Sequence, residues 1–86
     1  MITAIVLIST KRGKTNLVGE QLAEMEGITE VYSVSGRFDL VALVKLPNND
    51  DLADLMTNKI TQVEGIKNTE SMVAFRKISG HDIAFR

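Results

Sequence analysis

The chain contains no cysteine and no tryptophan, and it has one proline, one histidine, one tyrosine and three phenylalanines. Without cysteine there is no disulfide, no thiolate nucleophile and no cysteine-built metal site. Long apolar runs are also missing. The longest, Ala4 to Ile8 and Leu40 to Val44, fall far short of the roughly 18 residues a membrane span needs. Polar residues follow the first apolar run at Ser9 to Lys14, so the N-terminus does not read as a secretory signal and the expected compartment is the cytoplasm. Charge of one sign is missing as well. With 10 basic and 11 acidic residues, the chain has no global field with which to hold nucleic acid, and no direct nucleic-acid contact is expected.

What is present bounds the architecture. A length of 86 residues makes a single domain spanning 1–86, and a chain of this size buries only about 60 to 65 % of its extended surface. An apolar fraction of 44 % with 24 % charge excludes a disordered chain.

The two halves repeat one pattern. The shift that carries Ile2 onto Leu40 also carries Ala4, Ile5, Val6 and Ile8 onto Ala42, Leu43, Val44 and Leu46. Leu17, Val18, Leu22 and Met25 fall on Leu55, Met56, Ile60 and Val63, and Glu26-Gly27-Ile28 coincides with Glu64-Gly65-Ile66. Two βαβ units follow. Leu52, Leu55, Met56, Ile60 and Val63 form one helical stripe, with Asn49 as the expected N-cap and Asp50 and Asp51 in the positive first turn. The first helix is expected over 14–26, weakened by Gly19 at about 1 kcal/mol relative to Ala. Gly27 and Gly65 suit the left-handed position past each helix end. Strands are expected at about 2–9, 29–35, 39–46 and 69–77, with 77–86 as a tail whose alternation from His81 to Arg86 suggests an extra strand. The fold class is α+β: a ferredoxin-like βαββαβ chain with a four-stranded antiparallel sheet, the first and third strands central and both helices on one face.

The two phases of the central strands differ. Ile2, Ala4, Val6, Ile8, Leu40, Ala42, Val44 and Leu46 make one wholly apolar phase, which belongs under the helices. The opposite phase holds Thr3, Ile5, Leu7, Val41, Leu43 and Lys45. Two helices cover one side only, so an aliphatic patch is left in water that a monomer rarely tolerates. A homodimer packed sheet on sheet through Ile5, Leu7, Val41 and Leu43 is the expected solution.

Catalytic signals are thin. His81 lies beside Asp82 near the C-terminus and reads as a solvated tail residue. Asp50, Asp51 and Asp54 fit a helix start better than a carboxylate metal site. Lys11, Arg12, Gly13 and Lys14 lack the spacing of a phosphate-binding loop, and no aromatic interleaving turns them into a nucleic-acid surface. No catalytic residue, metal site or cofactor is assigned.

The informative segment is Val34 to Leu40, Val-Ser-Gly-Arg-Phe-Asp-Leu. It reads as a turn in which Gly36 supplies a positive φ, Asp39 bonds nearby backbone N–H groups and Phe38 packs locally. It also reads as a small zwitterion site. A glycine turn lets N–H groups approach a carboxylate, and an adjacent acid pairs an ammonium. Thr69 and Ser71, one phase of the fourth strand, are placed to add hydroxyls.

Ser35-Gly36-Arg37-Phe38-Asp39-Leu40-Val41, the Leu-rich second helix, Gly65-Ile66 and Thr69-Glu70-Ser71 in this order resemble the effector domain of the leucine-responsive regulator/asparagine regulator (Lrp/AsnC) family, known as the RAM (regulation of amino acid metabolism) domain. Ser71 stands where that pattern has a second Thr, and Ile66 where it has Val. The resemblance implies a dimeric α/β barrel assembling into octameric or decameric rings that bind amino acid effectors between dimers. It also implies an effector loop at Gly36, Arg37, Phe38 and Asp39 with Thr69 and Ser71 contributing. Asp39 would face the ammonium, and N–H groups near Gly36 to Phe38 the carboxylate. Family members usually carry a helix-turn-helix before this domain. Here the first strand starts at Ile2, so the expected form is stand-alone, working through full-length Lrp/AsnC relatives or the effector pool. The contrasting expectation is a small barrel enzyme of the monooxygenase kind, for which the sequence offers no tryptophan and no histidine outside the tail.

Overall fold

The computed structural model describes residues 1–80. Alternating apolar residues build β1 (Ile2–Thr10) and β3 (Leu40–Leu46), which pair antiparallel from Ile2↔Leu46 to Ile8↔Leu40. β2 (Ile28–Ser33) adds to β3 and β4 (Ile66–Val73) to β1, giving the order β2-β3-β1-β4 with the first and third strands central. The helices are α1 (Thr15–Ala23) and α2 (Asn49–Asp54), the latter prolonged by a π turn over Leu55–Lys59 and a 3-10 turn over Ile60–Gln62. The element order is the expected βαββαβ.

The wholly apolar phase does form the core. Ala4, Val6, Ile8, Ala42 and Val44 are fully buried and cluster with Val18 and Leu22 of α1 and with Leu52, Leu55 and Ile60 beyond β3. Gly27 and Gly65 have φ +95 and +97, but neither caps a helix as the sequence suggests: α1 ends at Ala23 with Glu24 as its C-cap, the second helical segment ends at Gln62 with an extended Val63 after it, and each glycine sits in the turn that leads directly into Ile28 or Ile66. A Cβ at Gly27 would meet Leu46 Cδ2 at 2.4 Å, and one at Gly65 would meet Val18 Cγ2 at 2.9 Å. Both backbone conformation and close approach therefore require glycine.

Several boundaries differ from expectation: α1 ends at Ala23 rather than at 26, and β2 spans Ile28–Ser33 rather than 29–35. The N-cap of α2 is Asn48, whose Oδ1 accepts the Asp51 N–H at 2.9 Å, rather than Asn49. The second helix is not uniform. Thr61 Oγ1 donates back to the Thr57 carbonyl, Asn58 donates to Asp54, and Lys59 Nζ lies 3.7 Å from Asp54 Oδ2 five residues away, a reach suited to the wider π turn. β4 spans Ile66–Val73 instead of 69–77 because extended backbone starts directly after Gly65. Among the described residues no strand follows Val73, and the stretch His81 to Arg86 lies outside them.

Candidate functional site

Three connections meet at one end of the sheet: residues 11–14 between β1 and α1, residues 34–39 between β2 and β3, and residues 63–65 before β4. Hydrogen bonds stitch them together. The Lys11 N–H donates to the Gly65 carbonyl at 2.7 Å, the Asp39 N–H to the Ile8 carbonyl at 2.9 Å, and the Val34 N–H to the Asp39 carbonyl at 3.0 Å.

Asp39 is the centre of this arrangement. Its Oδ2 accepts the Thr10 N–H at 2.8 Å and the Thr10 hydroxyl at 3.3 Å, and that hydroxyl lies 2.6 Å from the hydroxyl of Thr15, the first residue of α1. Thr10 lies beyond the last β1–β3 pair, so the carboxylate supplies a partner that the ladder does not. From the sequence alone, Asp39 is expected to bond N–H groups within its own turn. Its partner is instead 29 residues away, because the strand pairing brings the end of β1 alongside the start of β3. Thr10 and Thr15 were missed, since nothing in their local sequence marks a long-range partner.

Gly36 has φ +119, as the turn reading requires, and nothing lies within 4 Å of a Cβ placed there. The turn's outer side is therefore open. The N–H groups of Gly36, Arg37 and Phe38 make no hydrogen bond to the described residues, and Asp39 Oδ1 likewise has no partner among them. The Arg37 guanidinium carbon sits 5.8 Å from the centroid of the Phe38 ring, consistent with local cation–π packing of Phe38.

Thr69 and Ser71 are exposed and pair with Ile8 and Val6. They share the helix-side phase, on the outer strand that the helices leave open. β1 stands between them and the Gly36–Asp39 turn. Leu40 and Thr69 flank Ile8 from opposite sides, about 10 Å apart at two strand spacings. The expected site residues thus share one sheet end without touching. Two open depressions lie nearby and further off. One of about 380 Å³ runs between α1 and β2 past Asn16, Gly19, Glu20 and Val31 and reaches the described site at Thr15, Ser33 and Leu40, and one of about 450 Å³ lies against Thr3, Lys45 and Phe75.

On the open face, Ile5, Leu7, Val41 and Leu43 are half-buried, with Tyr32 and Met72 beside them at 49 and 46 % exposure. Tyr32 donates its hydroxyl to Glu30 on the same strand, and this bond to a carboxylate raises the phenol above its ordinary 10.0. The helix-start carboxylates are partly committed, Asp54 to Asn58 and Lys59. No group of metal-ligating side chains occurs among the described residues, and none of their helices is long and apolar enough to cross a membrane.

Comparison with known proteins agrees with this architecture. The HTH-type transcriptional regulator FL11 of Pyrococcus furiosus is 29 % identical over 75 residues, covering 87 % of this chain and 49 % of its own length. The chain spans about half the length of the curated relatives it matches. The crystal structure of TTHA0845 from Thermus thermophilus superimposes with a TM-score of 0.87 at 44 % identity, covering 92 % of this chain and 99 % of that one. The transcriptional regulator NMB0573 of Neisseria meningitidis, solved in complex with L-Met, shares the fold at a TM-score of 0.80 and 10 % identity, over 91 % of this chain and 52 % of its own. Residues 3–83 match the model of the Lrp/AsnC ligand binding domain, and the chain belongs to that family.

Proposed function

We propose that this domain is a non-enzymatic, cytoplasmic sensor that binds a small amino acid effector at the stitched end of the sheet and transmits occupancy through its assembly with other copies. The carrying observation is the pairing of free and committed groups at that end. Among the described residues the Gly36–Phe38 N–H groups and Asp39 Oδ1 have no hydrogen-bond partner, while Asp39 Oδ2 is anchored on Thr10. Unpaired N–H groups in a glycine turn suit a carboxylate, and the remaining carboxylate oxygen suits an ammonium. Thr69 and Ser71 complete the contacts from across β1, or from a neighbouring copy.

A homodimer through Ile5, Leu7, Val41 and Leu43 is part of the same proposal, with octameric or decameric rings as the larger assembly. Support comes from the apolar open face and from Phe75 and Ile78, which stand 102 and 77 % exposed just past β4. The family membership and the L-Met complex of a protein of the same fold favour an amino acid ligand. The two helices are separated by two strands and so form no helix-turn-helix. Any effect on transcription therefore runs through full-length relatives or the effector pool rather than through direct DNA contact by these residues.

The test is a panel of common amino acids in thermal unfolding and calorimetry on the wild-type chain and Asp39→Ala. A ligand at a hundredfold its dissociation constant stabilises by about 2.7 kcal/mol, and this gain disappears in Asp39→Ala while the dimer persists. A gain of equal size in Asp39→Ala contradicts the assignment.

A further inference from the structure

One end of the sheet gathers five cations in a chain that is near neutral as a whole. Lys11, Arg12 and Lys14 lie in the β1–α1 connection and Arg37 in the β2–β3 turn. Lys67 is the extra residue of a bulge in β4, where Ser9 pairs with Asn68 and Thr10 with Ile66. All five are exposed and all sit at the end where the three connections are stitched. The carboxylates of the same connections are Asp39, already anchored on Thr10, and Glu64. The single ion pair among the described residues, Lys59 with Asp54, lies elsewhere, so no cation of this end has a carboxylate within ion-pairing distance there. The surplus is held in place. The Lys11 N–H is bonded to Gly65, and the Lys14 stem packs so closely on Gly65 that a Cβ there would lie 2.9 Å from Lys14 Cβ.

A zwitterion of no net charge leaves this surplus unmatched. Its ammonium is answered by Asp39 and its carboxylate by the turn N–H groups, and the exposed cations of this end keep their charge uncompensated; such charges act on a ligand over about a Debye length, roughly 8 Å at physiological salt. We propose that the effector carries an additional negative charge, an amino acid with a carboxylate side chain, and that Lys11 and Lys14 select it over its neutral amide. This inference rests on the reading of Gly36–Asp39 as the zwitterion site, and supplies the class of ligand. The cations also raise the local concentration of such an anion before it docks.

Calorimetric titration of the full chain with L-glutamate, L-aspartate, L-glutamine, L-asparagine and L-leucine at low and physiological salt tests it. The acid is expected to bind at least about tenfold more tightly than its amide at low salt, a factor within reach of such charge pairing, with the ratio shrinking as salt rises. In Lys11→Gln/Lys14→Gln, which keeps the packed stems, the ratio falls toward unity with the unfolding temperature unchanged. Equal binding of acid and amide, lost in Asp39→Ala, overturns the charge selection and leaves the amino acid site standing. Binding of none of the five overturns the charge selection, and silence of the whole amino acid panel overturns the site as well. Inorganic phosphate competing as well as the acids, or the double variant altering oligomer size instead of the ratio, also overturns the proposal, since the cations then serve any anion or another copy's acidic surface.

Discussion

The carboxylate of Asp39 accepts both the N–H and the hydroxyl of Thr10, at 2.8 and 3.3 Å, and so fastens the β2–β3 turn to the end of β1. A half-buried charge-assisted pair of this kind contributes about 1–3 kcal/mol. Asp39→Ala is therefore expected to lower the unfolding free energy by about that amount, and Thr10→Val, which keeps the N–H, by less, about 1 kcal/mol. Urea unfolding monitored by circular dichroism measures both. Equal losses would place the weight on the hydroxyls of Thr10 and Thr15 rather than on the backbone N–H.

The glycines divide by what surrounds them. Gly27→Ala forces a Cβ to 2.4 Å from Leu46 at φ +95, and a loss of more than about 2 kcal/mol is expected from strain and clash together. Gly36→Ala carries the strain of φ +119 without any clash and loses about 1–2 kcal/mol. Gly19→Ala, in α1, meets Leu40 Cδ2 at an ordinary 3.5 Å and gains about 0.5–1 kcal/mol. The predicted order of melting temperatures is Gly19→Ala, wild type, Gly36→Ala, Gly27→Ala.

The open face is tested by charge. Leu43 points away from the helices and is half-buried in the single chain. Leu43→Glu places an uncompensated carboxylate at the centre of the proposed sheet-on-sheet contact, which a packed interface rejects at several kcal/mol. Analytical ultracentrifugation at micromolar concentration is expected to show a dimer for the wild type and a monomer for the variant. A folded wild-type monomer would refute the dimer.

Tyr32 is the only tyrosine, and its bond to Glu30 holds the phenol above 10.0. A pKa raised in the folded state means that the folded chain keeps this proton while the unfolded chain loses it. The contribution is full below 10.0 and fades as pH rises through the folded value. Ultraviolet titration is expected to show ionisation above 10.0 in the wild type and a lower midpoint in Glu30→Gln. An unchanged midpoint would break the assignment.

Most of the fold was legible because it rests on local rules. In Ile2 to Ile8 and Leu40 to Leu46 one phase is apolar throughout while the other carries Thr3 and Lys45, which set the face of each central strand, and the repeated Gly-Ile marked the starts of β2 and β4. The π turn left no trace, because Leu55 and Ile60 remain buried whether the helix is regular or widened. Asn48 and Asn49 are equivalent caps by residue type, and only the bond to Asp51 separates them. The turn and the exposed Thr69 and Ser71 were placed on their elements correctly. That β1 separates them, and that Thr10 occupies one oxygen of Asp39, follows from strand order and register, which no short motif encodes.

Backbone amide chemical shifts of the labelled chain, followed by NMR during titration with each amino acid that binds in calorimetry, test the central claim most directly. The largest changes are expected on Gly36 to Asp39, Thr10 and Thr69 to Ser71, and they disappear in Asp39→Ala. Changes centred on Asn16, Gly19 and Val31 between α1 and β2, with the Gly36–Asp39 turn silent, would contradict it.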